Sequence, residues 1–451
     1  MYQVMKCDDE FYCLFDMQTT FPPLLSLRYC EGILHAKALN YQKYELDAVK
    51  AFYEFWLTKF GSTLDYSLHL SDYQDIIKVL DEIDAFWDYL LSGRELSNIH
   101  LLPIVSSLDK KPLRTSAARC ASVIRFIEFL ATTYLTPAYS NGSFKEIEKY
   151  RKSILLRLSE KKKKFNKYNR GLQDDVAVYR SLTKSQFSDF SKIFAPSLKN
   201  ANSLNPFIST DIQLRNYIVM TLLSRYGLRV GEILLLQKQS FKPFISDPSK
   251  YLMLVRNLKN STDSVDTRNR KPEIKTVASN REIEISSHHY KVIMGYYNRF
   301  RPSDTPHEFI VTSHRKPYAP LSYQSALDEF KACVRAFKAR FPEHFDPQYA
   351  ESIVGDISPH WLRHTWAYGV LSEIYEANKN KFKADGVISI KGVMEDSIDQ
   401  LRALGGWSFE SKMPQKYAKR FIAENANSTL LDIYNNNVIY NAIEEDWNDL
   451  F

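Results

Sequence analysis

An arginine beside a glycine, followed by a glutamate, is the first group in this sequence that could bind an anion. Arg229 follows Gly227 and precedes Glu232, at a break between two apolar segments with helical spacing. Glycine lets the backbone approach a ligand closely, and a glutamate one helical turn after an arginine can orient the guanidinium. A surface arginine paired with a glutamate has the same pattern, so this group alone leaves both interpretations open.

A second group combines two histidines and an arginine at the start of a predicted helix. Ser358 is a good N-cap and Pro359 a good first helical residue, and His360, Arg363 and His364 then share one face. Free backbone N–H groups and the helix dipole favour an anion there, and two donors with a guanidinium suit a phosphate. A structural role is the alternative, and a zinc site is less favoured because no third ligand type is nearby.

The third group is a glycine pair with a tryptophan, followed by a tyrosine. Leu404-Gly405-Gly406-Trp407 precedes Tyr417. A tyrosine with its usual pKa of ~10 is a poor nucleophile, and two arginines would both lower that pKa and stabilise a charged transition state. One tyrosine among 28 is ordinarily a packing residue, and only its place after the other two groups singles out Tyr417.

In this order, Gly-Leu-Arg-x-x-Glu, His-x-Leu-Arg-His, and Leu-Gly-Gly-Trp with a later tyrosine resemble the tyrosine recombinase (phage integrase) family. The motifs span residues 227–421. The resemblance implies a site-specific recombinase or integrase that cuts and rejoins double-stranded DNA, as part of a mobile element, through a 3′-phosphotyrosyl intermediate and a four-way junction. It further implies a homotetramer on DNA, with or without accessory DNA-bending proteins, and neither a cofactor nor a metal.

The resemblance also implies a role for each residue of the site. Arg229 and Arg363 would hold the scissile phosphate, and His360 would bind it and help to orient or deprotonate the nucleophile. Trp407 would donate its indole N–H or pack against the nucleophile. The complete predicted set comprises the catalytic residues Arg229, Lys275, His360, Arg363, Trp407 and Tyr417, with Glu232 and His364 in support.

The lysine of this set comes from the resemblance to a family hairpin. The stretch from Ile274 to Arg281 resembles the β-hairpin whose lysine protonates the departing 5′ oxygen, which assigns that role to Lys275. Lys271 and Lys259 are rivals because the preceding loop is long. An ordinary hairpin lysine is the alternative interpretation.

Two spacings depart from the family pattern. Forty residues lie between His364 and Gly405, and we expect the excess in 372–395, a charged stretch predicted to form an inserted loop. Trp407 stands ten positions before Tyr417, one more than the family pattern has, which indicates a bulge before the nucleophile.

Composition bounds the fold class. With 451 residues, and ~100–200 residues per domain, the chain should form two or three domains. Hydrophobic residues make up 44% and charged residues 25%, as in ordinary globular proteins, and only 14 glycines argue against a turn-rich barrel or sandwich. The expected fold is mainly α with a small antiparallel sheet (α+β). A net charge of +7 permits nucleic-acid binding without requiring it.

The sequence predicts neither secretion nor a membrane span. The five cysteines show no metal or disulfide pattern, which fits a reducing compartment. The N-terminus does not have the pattern of a secretion signal, and no apolar run approaches the ~20 residues of a membrane span. The expected location is the bacterial cytoplasm.

The N-terminal part is predicted to hold an extension and a helical DNA-binding domain. Residues 1–37 are expected to be irregular, with a short strand at Phe11–Phe15. In 38–170, helices are predicted over 38–60, from Ser71, over 114–136 and from Ser143; they resemble the core-binding domain of the family by pattern only. The basic run that begins at Lys161 is either a solvated helix end or linker, or a linker that lies against DNA phosphates. The predicted DNA-binding residues are Lys110, Lys111, Arg114, Arg119, Lys161, Lys162, Lys163, Lys164 and Lys167.

The catalytic domain is predicted over 176–425. A capping box at Thr183 and Gln186 opens it; strands at 252–256 and 281–286 enclose a polar loop, 257–274. The acidic tail, 426–451, is predicted to dock into a neighbouring protomer, or else to pack on its own domain. Two other functions use the same fold: relaxation of DNA by a type IB topoisomerase, and DNA binding without catalysis.

Overall fold

The structure, a computed structural model, describes residues 2–7, 11–71, 73, 75–92, 110–138, 144–169, 180–197, 201–256, 266–268, 271–272, 274, 279–349, 351–353, 355–384, 390–417, 420–424 and 426. They belong to two compact units, Met1–Ala177 and Val178–Phe451. Helices dominate both, and the strands form small antiparallel sheets, so the predicted fold class is confirmed.

The first unit combines a β-hairpin with helices. Its elements are β1 (Tyr2–Cys7), β2 (Phe11–Asp16), α1 (Leu24–Tyr29), a π-helical turn (Cys30–Leu34), α2 (Leu39–Phe60), α3 (Leu64–Leu70), α4 (Ile76–Leu91), α5 (Lys110–Ala138) and α6 (Phe144–Asn169). The strand predicted at Phe11–Phe15 lies in β2. The rest of 1–37 is more regular than predicted, because Tyr2, Leu14 and Leu25 are buried in the core that the helices form.

The predicted helices of this unit exist, with one wrong boundary. Those predicted over 38–60 and 114–136 are α2 and α5. The helix expected from Ser71 begins at Ile76 instead, because Ser71 is the C-cap of α3. Ser143 lies outside the described residues.

The basic run lies on the last turns of a helix, which agrees with its interpretation as a helix end and not with that as a linker. It belongs to the last turns of α6, where Phe165 is fully buried. Lys161 and Lys164 form ion pairs with Asp84 of α4, at 2.7 and 3.0 Å. The run therefore also stabilises the helix packing of this unit.

The second unit surrounds a three-stranded sheet with helices. Its elements are α7 (Lys184–Phe194), α8 (Thr210–Arg225), α9 (Val230–Leu234), a 3-10 turn (Lys238–Ser240), β3 (Phe241–Pro243), β4 (Tyr251–Val255), β5 (Arg281–Ile285), α10 (Ser287–Arg299), α11 (Tyr323–Arg340), a 3-10 turn (Pro342–Phe345), α12 (Pro359–Ala384) and α13 (Ile390–Gly405). Residues 413–417 and 420–424 are also helical. The capping box at Thr183 and Gln186 is confirmed.

The sheet has the predicted alternation of side chains. β4 pairs with β3 and β5, all antiparallel, with Val255 opposite Arg281. Ile283 and Ile285 are buried, whereas Glu282 and Glu284 are exposed. Since successive side chains of a strand alternate, Arg281 shares the inward face with the two isoleucines.

The stretch 372–395 was predicted as a loop, and this was wrong. Most of it belongs to α12 and α13, and 385–389 lie outside the described residues. Leu371, Val393 and Leu401 are buried, and Asn378 donates a hydrogen bond to Asp396 at 2.8 Å. The charge of this stretch indicates a loop, but apolar residues at helical spacing bury one side of each helix.

Two further regions bear on the predictions. The tail beyond residue 426 lies outside the described residues, so its docking stays a prediction.

Within the described part of the chain, no helix is both long and apolar enough to cross a membrane.

Candidate active site

Arg229 lies in a sharp break between α8 and α9. Gly227 has a φ of 62°, in the left-handed region, and a Cβ there would lie 2.1 Å from the Trp366 ring. Only glycine fits this position without strain. The backbone N–H of Arg229 donates to Glu232 at 2.9 Å, and its Nη1 donates to the same carboxylate at 2.5 Å. Glu232 therefore binds both the backbone and the guanidinium of Arg229.

Glu232 is buried and shared by two arginines. Arg281 donates from Nη2 to Glu232 Oε2 at 3.0 Å, on the carboxylate that also binds Arg229. Burial opposes ionisation, but Arg281 and then Arg229 and Arg363 hold the pKa of Glu232 below its usual range. The carboxylate is therefore charged at neutral pH.

Arg363, on the first turns of α12, is 1% exposed. Its Nη1 donates to the Gly227 carbonyl and its Nη2 to the Gly405 carbonyl, so it joins the first and third sequence groups. Its Nε is buried without a hydrogen-bond partner in the described structure. Burial, and then the charge of Arg229, lower the pKa of Arg363 to about 9, which leaves the guanidinium charged at pH 7.

Trp407 follows a turn made of two glycines. A Cβ on Gly405 would lie 2.0 Å from the Trp407 ring, and Gly406 has a φ of 60°. The Arg363 guanidinium lies 4.4 Å from the centre of the Trp407 ring, and the Tyr417 ring centre lies 5.9 Å from it. The longer spacing before Tyr417 therefore still brings Trp407 against the predicted nucleophile.

Tyr417 is 5% exposed, and its buried hydroxyl has no hydrogen-bond partner among the described residues. Burial raises its pKa to about 12, although the positive charges of Arg363 and Arg229 act in the opposite direction. The site therefore keeps Tyr417 protonated at neutral pH.

The two histidines differ in their environment. The His364 ring centre lies 5.2 Å from that of Tyr417, and burial, followed by the charges of His360 and Arg363, lowers the pKa of His364 to about 3. His360 is exposed and packs edge-on against His364 at 4.4 Å. His364, which the sequence placed only in a supporting role, therefore packs against the Tyr417 ring as Trp407 does.

Arg281 and Ser279 belong to this site, although the sequence did not identify them. Ser279 is fully buried; it accepts from Arg229 Nη1 at 3.4 Å and donates to the Gly406 carbonyl at 3.2 Å. The available signal was the strand alternation, because it puts an arginine on the face of the buried Ile283 and Ile285.

The predicted lysine cannot be placed. Lys275 and its rival Lys259 lie outside the described residues, and Lys271 is exposed. The neighbours of the hairpin are described: Ile274 is packed in the core and Ser279 is in the site. The role of Lys275 therefore stays a prediction.

The predicted DNA-binding residues all lie in the first unit. Arg114 is exposed and Arg119 half-buried, whereas the side chains of Lys110 and Lys111 lie outside the described part. Lys162 lies 4.0 Å from Glu128. Lys163 and Lys167 are exposed.

Among the described residues, Asp189, Glu343 and His344 bring three potential metal ligands close together. Asp189 there is bound by Lys192 at 2.7 Å and by His344 at 2.9 Å. An ion pair accounts for this cluster.

The assembled side chains form a site for an anion beside a hydroxyl. Arg229, Arg281 and Arg363 supply three positive charges, and Glu232 supplies one negative charge. Guanidinium groups match the geometry of phosphate oxygens. The arrangement can hold a phosphodiester next to Tyr417.

No protein-family model and no curated protein sequence matches the chain. Several solved structures are similar to it, and two of them serve as examples. One is residues 82–397 of the Tn1549 transposon integrase with circular intermediate DNA: 14% identity, 82% of this chain and 94% of that chain covered, TM-score 0.37. The other is the XerH site-specific recombinase bound to difH: 12% identity, 83% and 96% covered, TM-score 0.32. Likenesses this distant do not assign a function to the chain.

Proposed function

We propose that this chain is a site-specific DNA recombinase of the tyrosine recombinase family, in which Tyr417 becomes covalently joined to DNA. The observation that carries the proposal is a pair of buried polar atoms, the Tyr417 hydroxyl and Arg363 Nε, that have no partner in the described structure. A buried unsatisfied group costs about 1–3 kcal/mol, so it calls for an explanation such as a ligand that completes it. A DNA phosphate would accept from Arg363 and be attacked by Tyr417.

The charge of the site supports a phosphodiester as that ligand. Arg229 keeps a partly exposed side chain, 25% exposed, while Glu232 orients it. Arg363 is rigidly held by the Gly227 and Gly405 carbonyls. Fixed positive groups that face a developing negative charge stabilise a phosphoryl-transfer transition state.

The proposed cleavage step exchanges one phosphodiester for another. The Tyr417 oxygen forms a bond to phosphorus as the bond to the 5′ oxygen breaks, which gives a 3′-phosphotyrosyl bond and a free 5′ hydroxyl. Since the new bond retains the energy of the old one, a 5′ hydroxyl of a second strand can reverse the reaction onto a new partner. Neither ATP nor a metal takes part in this step.

Two protons move in this step. His364 is neutral at pH 7 and packs against the Tyr417 ring, so we assign it to hold the nucleophile in place. His360, whose side chain is exposed, hydrogen-bonds the phosphate and receives the proton that Tyr417 loses, and Lys275 protonates the 5′ oxygen. Trp407 holds the nucleophile against Arg363.

The wider reaction follows from the same proposal. The enzyme acts on two double-stranded sites of a mobile element as a homotetramer, with residues 426–451 docked into a neighbouring protomer. The basic residues of α5 and α6 contact DNA phosphates. Bacterial cytoplasm is the proposed location.

The test is a suicide-substrate assay. Purified protein is mixed, in EDTA and without ATP, with nicked duplexes carrying the ends of the DNA element that encodes it. The nick releases a short 5′-hydroxyl product, which prevents reversal. We expect an SDS-resistant protein–DNA adduct in the wild type and in Tyr368→Phe, a matched control whose hydroxyl bonds Glu424 instead, and none in Tyr417→Phe.

Each other outcome has a distinct meaning. Clear binding without an adduct would favour a DNA-binding protein without catalysis. An adduct with any duplex, together with relaxation of supercoiled plasmids that lack the element ends, would favour a type IB topoisomerase. An adduct that persists in Tyr417→Phe would remove Tyr417 as the nucleophile.

A further inference from the structure

Arg281 joins three separate segments of the candidate site. Its Nε donates to the Leu404 carbonyl at 3.0 Å, its Nη1 to the Ser279 carbonyl at 2.9 Å and its Nη2 to Glu232 at 3.0 Å. Each guanidinium nitrogen therefore has its own acceptor, on α13, on the approach to β5 and on α9. Its side chain is 7% exposed; the bonds to Ser279 and Glu232 are part-buried, and the bond to Leu404 lies at the exposed surface.

We propose that Arg281 is a positioning residue for DNA strand cleavage: it fixes Glu232, and through Glu232 the phosphate-binding Arg229, to the turn that precedes Trp407. The inference rests on the proposed function for its catalytic consequence. It concerns a residue that need not touch the DNA.

The close packing around Arg281 leaves little freedom for this arrangement to change. A Cβ on Gly406 would lie 2.7 Å from Arg281 Nη1 and 3.1 Å from the Ser279 backbone. Ser279 in turn donates to the Gly406 carbonyl and accepts from Arg229. A displacement of Arg281 would therefore reach both Arg229 and the turn before Trp407.

Charge explains why an arginine serves at this position. The charged groups that face Glu232 are Arg229 on its own turn, Arg281 of β5 and Arg363 of α12, and Arg281 has the largest effect in keeping the carboxylate ionised. Arginine has a planar fork of donors, whereas lysine has one compact ammonium. A lysine would keep the charge beside Glu232 but could not serve all three acceptors.

The experiment compares cleavage with binding. Arg281→Met, Arg281→Lys and the control Arg299→Met, which removes an exposed arginine of α10, are tested on the nicked duplex under single turnover. We expect Arg281→Met to slow adduct formation about 100-fold, the scale of a small misplacement of catalytic groups. Arg281→Lys should recover part of the rate, Arg299→Met should match the wild type, and Kd for the DNA should change less than about threefold in all.

A pH profile separates positioning from general destabilisation. Without Arg281, burial raises the pKa of Glu232 with less positive charge to oppose it. The cleavage rate of Arg281→Met should therefore fall more steeply than that of the wild type from pH 7 to pH 5. Arg281→Lys should lack this additional acid dependence, and Glu232→Gln combined with Arg281→Met should remove it.

A DNA-free measurement keeps the inference testable if the wild type forms no adduct. Hydrogen–deuterium exchange of the 226–236 segment should increase in Arg281→Met and remain unchanged in Arg299→Met. Absence of an adduct in the wild type would reject the proposed function alone. Unchanged exchange in Arg281→Met, or a cleavage rate equal to that of Arg299→Met, would overturn the positioning role of Arg281.

Discussion

Both units contain a buried glutamate that binds arginine, and the two clusters differ in how completely they are satisfied. In the first unit, Glu45 is fully buried; Arg125 Nε donates to it at 3.1 Å and Ser122 at 2.9 Å. Tyr29 approaches the same carboxylate at 3.5 Å. None of these side chains is among those with a buried unpaired polar atom in the described structure.

The cluster around Glu232 leaves polar groups unused. Arg229 and Arg281 satisfy Glu232, yet Arg363 Nε and the Tyr417 hydroxyl beside them have no described partner. Most buried polar groups of native proteins are paired, so two unpaired atoms beside three arginines call for an explanation. The difference indicates that the Glu45 cluster stabilises its unit, whereas the Glu232 cluster is arranged for a ligand.

Tyr417→Phe is the substitution that should distinguish the two clusters most clearly. This change should abolish the adduct completely while leaving the free energy of unfolding unchanged, or higher by up to about 1 kcal/mol, because it removes a buried hydroxyl that has no partner. Denaturant unfolding of the two proteins gives the comparison. A loss of more than about 2 kcal/mol would mean that the hydroxyl has a structural role.

Arg125→Met should have the opposite effect, a loss of stability rather than a loss of cleavage. It leaves Glu45 buried with its main cationic partner gone, so we expect the first unit to lose about 3 kcal/mol of stability. The measurement is urea unfolding, with Arg299→Met as the exposed control. Glu45→Gln in the same chain should recover part of the loss, and failure to recover any would exclude the unpaired carboxylate as its cause.

The pH dependence of protein stability tests the cluster around Glu232, because His364 titrates there. Its pKa in the folded protein, about 3, lies below the ordinary value of 6.5. Stability associated with the neutral ring is therefore fully present above pH 6.5 and is lost as the pH falls towards 3. Between pH 7 and pH 4.5 the wild type should lose about 2 kcal/mol more than His364→Gln.

Trp407→Phe should have the smallest effect. Phenylalanine keeps an aromatic face for Arg363 and Tyr417 but lacks the indole N–H and is smaller. We expect cleavage to slow about tenfold, the effect of one lost donor or slight misplacement. Adduct formation under single turnover measures it, and an unchanged rate would limit Trp407 to packing.

Much of the site could be predicted because its signals are local. The glycine before Arg229, the glutamate one turn later and the proline that begins α12 all act within a few residues. The capping box at Thr183 is equally local. The prediction of a loop over 372–395 was wrong because it used composition. Burial of one side of each helix depends instead on packing against residues that are distant in the sequence.

By itself, the sequence determined the order of the three groups and the mainly helical fold. It also singled out Arg229, Arg363 and Tyr417 as candidate catalytic residues. Tertiary structure alone decided that His364 lies against Tyr417 and that Arg281 joins Glu232 to the Leu404 carbonyl, 123 positions away from Arg281. Contacts of that separation depend on how whole elements pack, and no local pattern encodes them.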